Sequence, residues 1–147
     1  MRALFRRLVA AAAATVGLVA LAPVQQAQAG TSCTPVLGCS GTVNYSGSLV
    51  LAVRDWTCSS GTTASASTGC VSLANTRWLS DGYRTPKDQD WDAFKVDAGW
   101  CVLVEFQIPA KKWHVTYDRR NQSSPVYVKV ENFGTAYVRG QSRTSCP

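Results

Sequence analysis

The stretch from Gly99 to Pro109 alternates more cleanly than any other part of the 147-residue chain. In an extended strand, Trp100, Val102, Val104, Phe106 and Ile108 share one face, and Cys101, Leu103, Glu105 and Gln107 share the other. Gly99 and Pro109 bound it, as turn formers bound strands. An apolar face of this length needs a covering layer, so the pattern predicts a central strand with the fold built against it. Other segments read the same way. Val126 to Glu131 puts three valines on one side and Tyr127, Lys129 and Glu131 on the other. Trp113, Val115 and Tyr117 alternate with His114 and Thr116. Leu49 to Val53 is apolar on both faces, as interior strands are. Thr42–Tyr45, Val71–Asn75 continuing through Arg77–Leu79, and Thr135–Arg139 complete the set. Turn signals separate them at Ser46-Gly47-Ser48, Ser80-Asp81-Gly82 and Asn132-Phe133-Gly134.

Tyr83 to Asp97 has no clear period, and Pro86 argues against a central strand there. Its length marks it as a candidate functional loop with a short helical turn over Asp90 to Phe94. No amphipathic helix and no internal repeat is evident. The pattern predicts an all-β fold, an antiparallel β-sandwich or small barrel of about seven strands.

The N-terminus changes the domain picture. Arg2, Arg6 and Arg7 precede an apolar run from Leu8 to Ala22, and Ala27-Gln28-Ala29 is an A-x-A cleavage pattern. Residues 1–29 therefore read as a secretory signal peptide, too short in its apolar run to span a bilayer. Arg6-Arg7 leaves the choice between the general and the twin-arginine route open. Residues 30–41, rich in Gly, Thr, Ser and Cys, read as an extended arm, and residues 42–147 as one β domain. Removing the three signal arginines lowers the net charge from +6 to +3, so nucleic acid is not an expected partner. The remaining charge is uneven: residues 30–104 are net −1 and residues 105–147 net +4.

All six cysteines follow the predicted cleavage site. An even number in an exported chain predicts disulfides, and none of the spacings is C-x-x-C, which disfavours a metal site. Of the fifteen possible connectivities, we favour Cys33–Cys39 and Cys58–Cys70, which close short loops, and Cys101–Cys146, which ties the tail to the central strand. The loop between Cys58 and Cys70 is small, polar and uncharged, with no anchor of its own.

No catalytic motif stands out. Asp88, Asp90 and Asp92 have the spacing that opens a calcium loop, but Ala93 replaces the required glycine and Gly99 the closing glutamate. The segment reads as a solvated acidic loop, and no metal or cofactor is expected. His114 is the sole histidine. With Glu105 on the adjacent predicted strand, and Arg119 or Arg120 for a phosphate, it composes the residue set of a small secreted ribonuclease. Of the five tryptophans, four lie at core-facing strand positions, whereas Trp91 sits in a polar loop and, if exposed, is a contact residue. Candidate partner-binding residues are Thr34, Pro35, Val36 and Leu37 in the arm, and Tyr83, Arg84 and Trp91 in the long loop.

The alanine-rich signal, the Ser/Thr/Gly loops and the six mature cysteines resemble the small exported β-proteins of actinobacteria. In size and layout the chain is similar to the adaptor subunit of umbrella toxin particles, which links a lectin-bearing subunit to a stalk subunit partly through an extended N-terminal arm. The resemblance implies a secreted, non-enzymatic adaptor that binds protein partners in an extracellular assembly, with no cofactor and no membrane anchor after cleavage. The alternatives are a free-acting inhibitor or effector, and the hydrolase built on Glu105 and His114.

Overall fold

The structure, a computed structural model, describes Cys33 and residues 38–147. The predicted signal peptide and the arm residues Thr34, Pro35, Val36 and Leu37 lie outside the described residues. Nine strands follow in order: β1 (Gly41–Asn44), β2 (Val50–Trp56), β3 (Ala66–Ser67), β4 (Val71–Leu79), β5 (Ala93–Val96), β6 (Cys101–Ile108), β7 (Lys111–Asp118), β8 (Val126–Lys129) and β9 (Thr135–Ser142). No helix occurs among the described residues.

The strands form two sheets. The first has the order β1-β9-β6-β7 and the second β3-β8-β5-β2-β4, so the fold is an open sandwich rather than a closed barrel. All pairings are antiparallel except β1 with β9. Two strands exceed the expected seven, and both lie where periodicity is weak. The two-residue β3 is too short to alternate. β5, Ala-Phe-Lys-Val, stands where a helical turn was expected and pairs with both β2 and β8. Burial of Phe94 at 0 % exposure decides its conformation.

The core lies between the sheets. Val102, Val104 and Phe106 of β6 and Ala136 and Val138 of β9 face Phe94, Val96, Val126, Val128 and Val130. The Phe94 and Phe106 rings meet at 6.3 Å. Each such ring contributes about 1.5–3 kcal/mol by leaving water. The apolar face predicted for β6 is therefore the inner face.

All three disulfides pair as expected: Cys33–Cys39, Cys58–Cys70 and Cys101–Cys146. They suit an oxidising, extracellular setting. No helix of the described residues is long and apolar enough to cross a membrane.

The Cys58–Cys70 loop does have anchors. Thr63 Oγ1 donates to Glu131 and accepts from the Glu131 amide, Tyr117 Oη donates to the Ala64 carbonyl at 2.7 Å, and β3 pairs with β8. These are long-range contacts that local composition does not encode. Burial of the Tyr117 phenol raises its pKa well above the ordinary value.

The boundary of the arm also shifts inward. Ser40 is 1 % exposed and Gly41 opens β1. Gly41 is required by contact: a Cβ there would stand 2.8 Å from Thr85 Oγ1.

Candidate functional site

The first sheet presents its outer face to solvent, and the register of its strands assembles a group of ionisable side chains there around Glu105. Glu105 is opposite His114 on β7 and Tyr137 on β9. Tyr137 is opposite Val43 on β1, and Val43 forms an isolated bridge with Arg84. One cross-strand row thus runs Arg84, Val43, Tyr137, Glu105, His114. A register shift against β9 at Leu103/Val104 leaves Arg139 without a direct cross-strand partner. Arg139 Nη2 donates to Glu105 Oε1 at 3.2 Å.

Glu105 is the hub of this group, 6 % exposed on a face that is otherwise open. Lys112 Nζ lies 2.9 Å from Oε1, and His114 Nε2 lies 3.3 Å from Oε2. The Lys112 hydrogen bond lowers the Glu105 pKa; burial opposes it, and Arg139 adds to the lowering through a hydrogen bond and its charge. Arg139 is stacked in turn. Its guanidinium carbon sits 4.8 Å from the Tyr137 ring centre and 5.4 Å from that of Tyr45. The two tyrosines lie parallel to within 7° at 6.5 Å. Lys111 lies on the other face of β7 with Trp113, its ammonium 4.8 Å from the centre of that ring, and does not join the Glu105 group. Beside Tyr137 is a shallow cleft of about 240 Å³, lined by Gln107, Ile108, Pro109, Phe133, Thr135 and Tyr137.

The structure thus brings together Glu105 and His114, as the alternation of β6 and β7 predicts. It does not bring Arg119 or Arg120 to them. Arg119 donates to the Ser124 carbonyl, and Arg120 pairs with Asp118 and the Thr144 carbonyl. The cations around Glu105 are instead Lys112 and Arg139. Alternation in β9 already places Arg139 on the face of Tyr137; what the sequence does not give is that β9 lies beside β6. Chemically, a carboxylate whose Oε1 is ion-paired with both Lys112 and Arg139 and whose charged form is favoured is a weak proton acceptor. Glu105 fixes the cations about it.

A second group lies at the root of the arm. Asp90 and Asp92, expected in a solvated loop, are 1 % and 3 % exposed. Asp90 Oδ1 accepts from the Ser40 amide at 2.8 Å and also from Ser40 Oγ. Asp92 Oδ1 lies 3.2 Å from the same hydroxyl, and Asp92 Oδ2 accepts from the Trp56 amide at 3.4 Å. The Trp91 amide donates to the Ser40 carbonyl and hydroxyl. Burial, and then the charge of Asp90, push the Asp92 carboxyl up to about 6. The loop is buried because its partner, Ser40, is fifty residues away, beyond the reach of any local pattern.

The tryptophans correct another expectation. Trp91, the proposed exposed contact, is 6 % exposed and packs on Ala52 and Leu79. Trp78, placed in the core by strand alternation, is 56 % exposed. It belongs to β4, an edge strand, where alternation does not imply a covering layer. Of the other partner-binding candidates, Tyr83 is 66 % exposed, and Arg84 is exposed beside β1 at the margin of the Glu105 row.

Comparison with protein-family models, with curated proteins and with solved structures finds no match.

Proposed function

We propose that the protein is a secreted, non-enzymatic adaptor or structural subunit of an extracellular assembly. It makes protein contacts through the disulfide-closed segment at Cys33–Cys39 and through the outer face of the first sheet. The observation that carries this reading is the rooting of Ser40. Cys33 and Gly38 are exposed, while Ser40, two positions further on, is locked in the core by Asp90, Asp92 and Trp91. A covalently closed loop on a rigid root loses little entropy when it meets a partner, which favours binding. The signal-peptide pattern and the disulfides support export. The toxin-particle setting follows from the resemblance of the chain alone.

Purification of the native protein from culture supernatant tests the reading. Co-elution with larger partners is expected, and so is its loss in a Cys33→Ser/Cys39→Ser variant that keeps its melting temperature. Elution at monomer mass with no co-purifying protein would overturn it.

The approach of His114 to Glu105 favours a second reading, a small hydrolase of ribonuclease type. On that reading His114→Ala abolishes phosphodiester cleavage. Cleavage that survives His114→Ala, or none in the native protein, excludes it.

A further inference from the structure

We propose that a single proton, held between the carboxyl groups of Asp90 and Asp92, latches the root of the Cys33–Cys39 segment at Ser40, and that loss of this proton loosens it. The latch regulates the segment through which the protein meets a partner, a use that rests on the binding reading, whereas its test needs the protein alone.

The hydrogens available at Ser40 are too few for two charged neighbours. A serine hydroxyl offers one hydrogen and two acceptor positions. Ser40 Oγ donates to Asp90 Oδ1, accepts from the Trp91 amide at 3.2 Å, and lies 3.2 Å from Asp92 Oδ1. With Asp92 protonated, its acid hydrogen fills the second acceptor position, and the hydroxyl is fully used. With Asp92 ionised, two oxygens face each other with no hydrogen between them. The proton belongs on Asp92, because Asp90 Oδ1 accepts from both the amide and the hydroxyl of Ser40, and such bonds favour the charged form. Asp90 Oδ2 is buried with no hydrogen-bond partner among the described residues, so no second donor eases a further charge on the pair.

The surroundings make that second charge costly. Asp90 and Asp92 are both buried, and like charges sharing a buried site resist ionising together. Residues 30–39 carry no charge. On β8, Lys129 favours the ionised form of Asp92, but its ammonium donates to the Gly61 carbonyl at 2.8 Å. On β2, Arg54 meets Asp92 through its main-chain carbonyl, and Asp55 accepts from Asn75. Lys95 of β5 pairs with Asp97, Glu131 accepts from Thr63, and Arg84, Lys87 and Asp88 are exposed. Burial and the Asp90 charge together push the Asp92 carboxyl up to about 6, which sets the latch between mildly acidic and neutral pH.

Ser40 is the side that yields. The Asp92 amide donates to the Arg54 carbonyl and its carbonyl accepts from the Val130 amide, so its main chain is tied on both sides within the second sheet. Ser40 precedes β1, whose register with β9 starts at Gly41. Its amide is held by the Asp90 carboxylate and its carbonyl by the Trp91 amide. Below about pH 6 the Cys33–Cys39 disulfide stands on a fixed base; above it the base opens more often, and a partner contact loses its preorganisation.

The test is native-state hydrogen exchange of the mature, disulfide-intact protein from pH 5 to 8, corrected for the intrinsic rate and read at the Ser40 and Trp91 amides and at the amides of central β6. Protection of Ser40 and Trp91 should fall about tenfold over this range, by linkage to the Asp92 proton. The fall should be insensitive to dilute urea, because a local opening exposes little surface. Asp92→Asn should abolish it, since asparagine cannot ionise and its amide can donate to Ser40. Asp90→Asn, which removes the neighbouring charge, should shrink it and serves if the first variant fails to fold. His114→Gln, which removes the sole histidine, the residue type that ordinarily titrates in this range, should leave it intact. Protection that does not change with pH, a fall that persists in the aspartate variants or vanishes in His114→Gln, or a urea-sensitive fall shared with β6 overturns the proposal. The adaptor reading stands or falls separately, on co-elution of the native protein and its dependence on Cys33 and Cys39.

Discussion

Replacing Asp92 by asparagine should stabilise the protein above pH 7 and change little at pH 4. Asp92 is 3 % exposed, and burial together with the neighbouring Asp90 charge raises its carboxyl from 3.8 to about 6. The folded state therefore binds a proton more tightly than the unfolded chain. Stability from this group is fully present below the unfolded value and is lost as pH rises through the folded one, here between about pH 4 and 6. A difference of about two pKa units corresponds to at most about 3 kcal/mol. Asparagine has the same shape and cannot ionise. Its oxygen can still accept from the Trp56 amide, and its amide can donate to Ser40 Oγ, the two contacts Asp92 makes now. The hydrogen count at Ser40 argues the same way. Its hydroxyl has one proton and two carboxylate neighbours, so a neutral donor at position 92 relieves the conflict. The assay is urea unfolding of wild type and Asp92→Asn, disulfides intact, from pH 4 to 8. The difference between the two curves isolates this group from the other carboxylates. We expect it to grow with pH to about 1–3 kcal/mol in favour of the variant. For a domain of this size that is a rise in melting temperature of about 4 °C or more. Parallel curves, or a variant less stable than wild type at pH 8, would refute the reasoning.

The other expectations are simpler. The Cys101→Ser/Cys146→Ser variant, which frees the tail from β6, should lose about 2–5 kcal/mol in chemical denaturation. Trp91→Ala should lose about 3–5 kcal/mol by emptying the space over Ala52 and Leu79, whereas the exposed Trp78→Ser should stay within about 0.5 kcal/mol. Equal effects of the two would contradict their placement. Glu105→Gln should cost stability at pH 7, and the cost should shrink as pH is lowered below the ordinary carboxylate range, measured by the same unfolding series. The Glu105 pKa is lowered in the fold, so its contribution is present above the ordinary carboxylate value of 4.5 and lost as pH falls through the folded one.

Sequence and structure agree where information is local. The alternation of Gly99–Pro109 is that of β6, and its two faces are the core and the Glu105 side. The pairing of Glu105 with His114 follows from two adjacent alternating strands joined by a short turn. The disulfides follow from the spacing of six cysteines in a chain with an export signal. Disagreement appears wherever burial depends on a distant partner. β5 lacks a period because its neighbours are β2 and β8. Asp90 and Asp92 look solvated until Ser40 is brought to them from fifty residues away. Trp78 and Trp91 exchange their expected places because one lies on an edge strand and the other under the arm's root.

The sequence by itself indicated an all-β sandwich or barrel, its central strand, a favoured set of disulfides and the facing of Glu105 and His114, since side-chain alternation and cysteine spacing can be read along the chain. Only the tertiary structure decided which strands are edges, which acids are buried, and that β9 lies beside β6 and so brings Arg139 rather than Arg119 or Arg120 to Glu105. Those outcomes depend on strand order and register, and a strand's own residues do not specify which distant strand will lie beside it.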